Sequence, residues 1–273
     1  MKPDPSPASP PLTPAIYRLT CDPRRASLPS PAPAVRWFAM IDFYYWPTPN
    51  GWKVAIMLEE CGLDYRVVPV NIGRGDQFKP EFLAISPNNR MPAIVDHDVP
   101  GDFGGGVPVF ESGAILIHLA EKTGRFMPRS RQGRKETLEW LFWQVGNLGP
   151  MAGQLSHFVN YAQGEHPYSY KRYADEYNRC LGVLERRLDG REFIVGDYSI
   201  TDMASWPWVL ISKPLGQPLD EFPNVARWRE RIKQRPAVQR AVDLGKELRR
   251  SAPPTEAERR ILFSQTAQSV NPR

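Results

Sequence analysis

Asn88-Asn89-Arg90-Met91-Pro92-Ala93-Ile94-Val95, followed sixteen residues after the end of that run by Glu111-Ser112-Gly113-Ala114-Ile115, is the stretch that organises this chain. The first block sets a proline at the head of an apolar β-run, and the second sets an acid and a hydroxyl at the start of an amphipathic helix. A proline at a strand's first residue is tolerated because its missing N–H costs no ladder bond, and X-Pro is the common place for a cis peptide. A cis Met91-Pro92 bond would turn the backbone N–H and C=O of Met91 outward, free to pair with an extended peptide. Ser112 would offer a hydroxyl and the orphan amides of a helix N-terminus to a carboxylate, while Glu111 would take an ammonium. Together the blocks predict a site for a peptide with an α-amino acid at one end and a cysteinyl backbone in its middle.

Working outward, Ile41 to Tyr45 reads as a strand, Trp46-Pro47-Thr48-Pro49 as a turn, and Asn50 as the opening of a helix. Val54, Met57, Leu58 and Cys61 follow the i, i+3, i+4, i+7 series of that helix, and Gly62 ends it. Lys53 falls on the same helix as a solvated position. Tyr65 to Val70 predicts a second strand and Gln77 to Leu83 a short helix. The Pro92-led strand, a turn rich in glycine (Gly101, Gly104, Gly105, Gly106), a strand ending at Phe110 and a helix from Ser112 to about Lys122 complete the order βαβαββα. That order is thioredoxin-like.

Beyond residue 124 only helical patterns remain, so the fold class is α/β plus all-α. A helix is expected from about Arg134 through Leu138, Leu141, Phe142 and Val145, bending where Gly146, Gly149, Pro150 and Gly153 fall, since proline removes an i to i−4 bond. Another runs from about Tyr168 to Leu188. Ser199-Ile200-Thr201-Asp202 is a capping box, in which Asp202 serves folding rather than chemistry. The chain divides into a Pro-rich extension (1–39), a thioredoxin-like domain (40–124), an all-α domain (134–245) and a charged tail (246–273).

Ten of the 29 prolines lie in residues 1–39, which are therefore expected to be disordered, with Met40 as an alternative initiator. Hydrophobic residues make up 41%, but no run approaches the roughly 18 to 20 apolar residues of a membrane span. The net charge of +5 is dispersed among acids, and the basic stretch Arg227 to Lys233 carries Trp228 and Ile232 four apart, as a packed amphipathic helix would. Neither a membrane nor nucleic acid is expected as a partner. Three cysteines, Cys21, Cys61 and Cys180, lack CxxC or metal spacing, and the four histidines share no ligand spacing, so no metal is expected and a reducing cytoplasm is. Cys61 and Cys180 sit in apolar stripes as small buried hydrophobes.

Thr48-Pro49-Asn50-Gly51, Gly75-Asp76-Gln77-Phe78, Phe110-Glu111-Ser112-Gly113-Ala114 and Trp140-Leu141-Phe142-Trp143-Gln144 resemble a glutathione S-transferase of the bacterial nu class, from about Ile41 to about Ala241. The resemblance implies glutathione as co-substrate and Thr48 and Asn50 as the residues beside its sulfur. A thiol with a pKa of about 8.5 is only slightly ionised at neutral pH, so a hydroxyl, an amide and a helix dipole there would favour the thiolate. Asn50 as a mere cap and Thr48 as a turn residue is the competing reading. By the same resemblance, Gln77 reaches the glycyl end, Met91 beside Pro92 pairs with the cysteinyl unit, Glu111 and Ser112 hold the γ-glutamyl head, and Arg172 approaches a second glutathione, unless it is an ordinary surface arginine. His157, after the bent segment, is a candidate lining residue for the second substrate.

The implied activity is reduction of small disulfides or peroxides by glutathione thiols, with weak conjugation activity, in a cytoplasmic homodimer. Trp140 to Trp143 support the dimer, since four large apolar residues circle one helical turn. The alternative is a non-catalytic, glutathione-binding regulatory protein on the same fold, because fold does not imply activity.

Overall fold

Thr48, not Asn50, begins the first helix. Its Oγ1 accepts from Gly51 N at 3.3 Å, Pro49 occupies the first turn where a missing N–H costs nothing, and α1 runs Pro49–Cys61 to a left-handed Gly62. Gly51 is required by close approach: a Cβ there would lie 2.4 Å from Trp46 O and 2.9 Å from the Tyr45 ring. These details come from a computed structural model, which describes residues 41–99, 105–249 and 252–270. The Pro-rich stretch 1–39, Met40, Cys21, Gly101, Gly104 and Arg250 lie outside the described residues.

β1 (Ile41–Tyr45) pairs in parallel with β2 (Tyr65–Pro69) and antiparallel with β3 (Ala93–Asp96), which pairs antiparallel with β4 (Val107–Phe110), giving the order β2-β1-β3-β4. Burial explains the composition: Phe43, Tyr45, Ile94 and Ala93 are fully enclosed, and β1 can keep Asp42 only because Arg66 clamps it with two hydrogen bonds of 2.9 and 2.7 Å. α3 (Ser112–Thr123) packs beside α1 on one face. On the other, Val70, Phe82, Met91 and Ala93 form a separate small core with Tyr44 and Trp46. The segment expected as one helix from Gln77 to Leu83 is a 3-10 turn (Asp76–Phe78) and a one-turn α2 (Pro80–Leu83), because Pro80 cannot continue the first.

The helical half starts with α4 (Arg131–Trp143), three residues ahead of the expected Arg134, because Ser130 accepts from Gly133 N at 3.1 Å. The anticipated bend is a π-helical turn, Gln144–Leu148, leading into α5 (Gly149–Asn160), and Pro150 falls harmlessly in that helix's first turn. α6 (Pro167–Arg187) follows, then the central α7 (Ile200–Leu210), nearly every residue of which is buried. Its capping box is present, and Asp202 does more than cap: it also accepts from Ile194 N at 3.0 Å and Trp228 Nε1 at 2.9 Å. α8 (Pro223–Lys233) buries Trp228 and Ile232 as expected of an amphipathic helix, and α9 (Pro236–Asp243) packs along α1. The described part of the charged tail carries two further helices. α10 (Glu256–Phe263), capped by Thr255 and Glu258, and α11 (Ala267–Val270) end the described chain.

Candidate functional site

A cleft of about 370 Å3 opens between the sheet's end and the helical half, large enough for a small-molecule ligand. Thr48, Pro49 and Asn50 line one end. The Thr48 hydroxyl accepts from Gly51 N and donates to Met91 Sδ, a weak acceptor, at 3.6 Å. Asn50 is fixed by Trp208, whose indole Nε1 donates to Asn50 Oδ1 at 3.1 Å. That contact uses the acceptor end of the amide and leaves its NH2 as a donor. The two tyrosines of β1 are elsewhere: Tyr45 is buried and donates to Leu244 O at 3.0 Å, Tyr44 lies tilted against Phe82 with ring centroids 5.9 Å apart, and burial raises both phenol pKa values. The donors at this end are therefore a hydroxyl, an amide and the α1 N-terminus.

Met91, Arg90 and Gln77 line the middle. The Met91-Pro92 bond is cis. Gln77 Nε2 donates to Ile72 O at 3.1 Å, and its buried Oε1 has no protein partner. The two sequence blocks meet at the sheet edge: Ala93 is opposite Phe110 in the β3–β4 ladder, so Pro92 comes level with Glu111, and Asn88 Nδ2 donates to Glu111 Oε1 at 3.0 Å. Glu111 has φ of +67°, an uncommon conformation for a non-glycine residue and one that concentrates at functional positions. Ser112 opens α3, and its Oγ accepts from Lys53 Nζ at 3.4 Å. Lys53 is not solvated, as its place in the helix had suggested. It is 2% exposed, also donates to Gln144 Oε1 at 2.8 Å, and its pKa is lowered to about 7 by burial.

The opposite wall is more apolar and comes from distant segments. Gly153, His157 and Trp208 contribute from α5 and α7, and Leu262, Phe263 and Gln265 from the tail. Phe263 packs edge-on against His157 with ring centroids 4.7 Å apart and lies 5.2 Å from Tyr161. Two hydrogen bonds secure the segment: Arg90 Nη1 to Gln265 Oε1 at 2.6 Å and Arg259 Nη1 to Tyr161 O at 2.6 Å. His157 is shifted toward its neutral form by burial first and by His166 second.

This architecture and these motifs find direct counterparts. Residues 39–121 match the family model of the glutathione S-transferase N-terminal domain, and residues 152–236 that of the C-terminal domain. Disulfide-bond oxidoreductase YfcG of Escherichia coli is 51% identical over 204 residues, 74% of this chain and 94% of that protein. This chain belongs to the glutathione S-transferase family. Among solved structures, a glutathione transferase from Burkholderia graminis with two glutathione molecules bound per subunit is 45% identical, with a TM-score of 0.71 over 76% of this chain and 89% of its own. One from Pseudomonas putida with glutathione disulfide bound is 41% identical, with a TM-score of 0.71 over 78% and 94%.

Within this transferase, the cleft brings together Thr48, Asn50, Gln77 and Met91, whereas Pro92, Glu111 and Ser112 are not among its lining residues and meet one another beyond Met91 in the β3–β4 register. Arg172 is not brought there. Its guanidinium is 60% exposed on α6 and pairs with Glu176 at 3.6 Å. Cys61 and Cys180 are free thiols outside the cleft lining, and burial raises both pKa values, Cys180 to about 11. Among the described residues no group of three His, Cys, Asp or Glu could hold a metal, and no helix is long and apolar enough to cross a membrane. Trp208, Phe263 and Gln265 carried no local signal, since each reaches the site only through long-range packing, whereas Arg90 comes with its neighbour Met91. His157, placed by the Gly-Pro segment, is a lining residue.

Proposed function

We propose that this transferase is a glutathione-dependent disulfide-bond reductase. What supports this reading is the position of the Thr48 hydroxyl and the Asn50 amide at the start of α1 in the cleft, where a glutathione thiolate would gain donors, with no cysteine among the lining residues. The relative named a disulfide-bond oxidoreductase, at 51% identity, supports the same reaction. Glutathione binds with its cysteinyl backbone along Met91 and its γ-glutamyl head at Glu111 and Ser112. Gln77 Oε1, an acceptor, suits the glycyl N–H better than the terminal carboxylate. The thiolate attacks one sulfur of a small disulfide, forming a mixed disulfide and expelling the other sulfur as a thiolate that takes up a proton. A second glutathione attacks the mixed disulfide, releasing the second thiol and leaving glutathione disulfide. Peroxide reduction and weak conjugation use the same thiolate.

Arg172 serves the second glutathione only if the assembled or ligand-bound protein carries its exposed side chain toward the cleft. The assembly we infer is a homodimer: Phe142, flanked by Trp140 and Trp143, is 65% exposed beside the buried Leu141, an apolar surface suited to a partner subunit. We assign the protein to the cytoplasm, where its free thiols and a glutathione-dependent reaction are both at home. A non-catalytic regulator on this fold is not favoured, because the donor pair is intact. Turnover of 2-hydroxyethyl disulfide with glutathione is the test. Glutathione binding without turnover would overturn the enzyme reading in favour of a binding protein.

A further inference from the structure

We propose that Lys53 is a buried positioning residue that holds the Ser112 hydroxyl from behind and supplies the cation for the γ-glutamyl carboxylate of glutathione. The proposal rests on the placement of that carboxylate at Ser112 and adds a third group to it. Lys53 lies where α1, the start of α3 and the π-helical turn meet, and both of its hydrogen-bond partners, Gln144 Oε1 at 2.8 Å and Ser112 Oγ at 3.4 Å, are uncharged. A lysine 2% exposed is costly unless an anion compensates it, and such groups gather where an anion is to be received. The position one hydrogen bond beyond Ser112 Oγ is also the N-terminus of a twelve-residue helix, so the helix dipole and the lysine favour the same charge in the same place.

Other charged groups near α1 are committed elsewhere or lie to one side. Glu111 accepts from Asn88 and is the acid that favours the charged lysine. Asp202 of α7 is satisfied by Ile194, Ser199 and Trp228. Arg235 and Arg240, at and within α9, pair with Glu60 and Glu59 at the far end of α1, and Asp42 of β1 pairs with Arg66. Gln144 orients the ammonium and is itself committed to it, its Nε2 having no partner. In the free protein burial lowers the Lys53 pKa to about 7, so at pH 8 the amine is mostly neutral. An arriving carboxylate restores the charge. Binding must then take up a proton.

The probe is S-methylglutathione, which carries no ionisable thiol, compared with its analogue lacking the γ-glutamyl α-carboxylate. Calorimetry at pH 8 in two buffers of different ionisation enthalpy is expected to show net proton uptake for S-methylglutathione and little for the analogue. Lys53→Met is expected to abolish the uptake and shrink the preference for the carboxylate-bearing ligand by about tenfold or more, the range of a hydrogen-bonded charge, while Lys53→Arg retains part of the preference. A folded Lys53→Met protein with an undiminished preference would overturn the proposal and leave Lys53 a core residue. Should that variant not fold, the wild-type measurement decides: absence of proton uptake overturns it. A wild-type protein with no preference for the carboxylate would instead remove the placement of the γ-glutamyl head itself.

Discussion

The two walls of the cleft are built by opposite means. The polar wall, Thr48, Asn50, Gln77 and Met91, belongs to one domain and is set by helix starts and strand ends, features a few residues long. The more apolar wall joins α5, α7 and the tail, and nothing local marks Trp208 or Phe263 for it. The difference shows a division of labour. Local turns and caps place the first set of residues, whereas packing between segments remote in sequence places the second.

Breaking the polar wall, or the Ser112 helix start beyond it, should have the larger consequences. Asn50→Ala is expected to lower kcat for disulfide reduction by about 10²-fold while altering glutathione affinity less, since the lost donor acts where charge concentrates on sulfur. Steady-state kinetics and calorimetry on one preparation separate the two, and an equal loss in both would make Asn50 a binding residue. Ser112→Ala should weaken glutathione binding by about 1.5 to 3 kcal/mol, the range for a hydrogen bond to a charged group. Unchanged affinity would reduce the Glu111-Ser112 motif to a helix start.

The apolar wall predicts a smaller and more selective effect. Phe263→Ala removes the ring packed on His157 and Tyr161, and should change KM for aromatic disulfides by about two- to tenfold while leaving glutathione affinity in place. A uniform change across small and aromatic disulfides would show that the tail does not discriminate. The smallest effect is expected farthest from both walls: Cys61→Ser and Cys180→Ser should leave turnover nearly unchanged, because the reacting sulfurs belong to glutathione. Loss of turnover in either folded variant would break the cysteine-free mechanism.

Local pattern alone determined the βαβαββα order, the cap at Gly62, the capping box at Ser199, the proline-led strand and the acid-hydroxyl helix start, because each depends on the conformational limits of a few neighbouring residues. Where competing signals lay within one turn the pattern misled slightly: Thr48 rather than Asn50 caps α1, and Pro80 splits the short helix. Tertiary structure decided what side chains do once distant segments meet. Trp208 engages the acceptor end of the Asn50 amide, Lys53 is driven into the interior by α3 and the π-helical turn, and the charged tail folds back so that Gln265 reaches Arg90. No periodicity foretells these contacts. Burial and hydrogen-bond partnership are properties of the packed whole, and a lysine's place on a helix does not reveal which other elements will cover it.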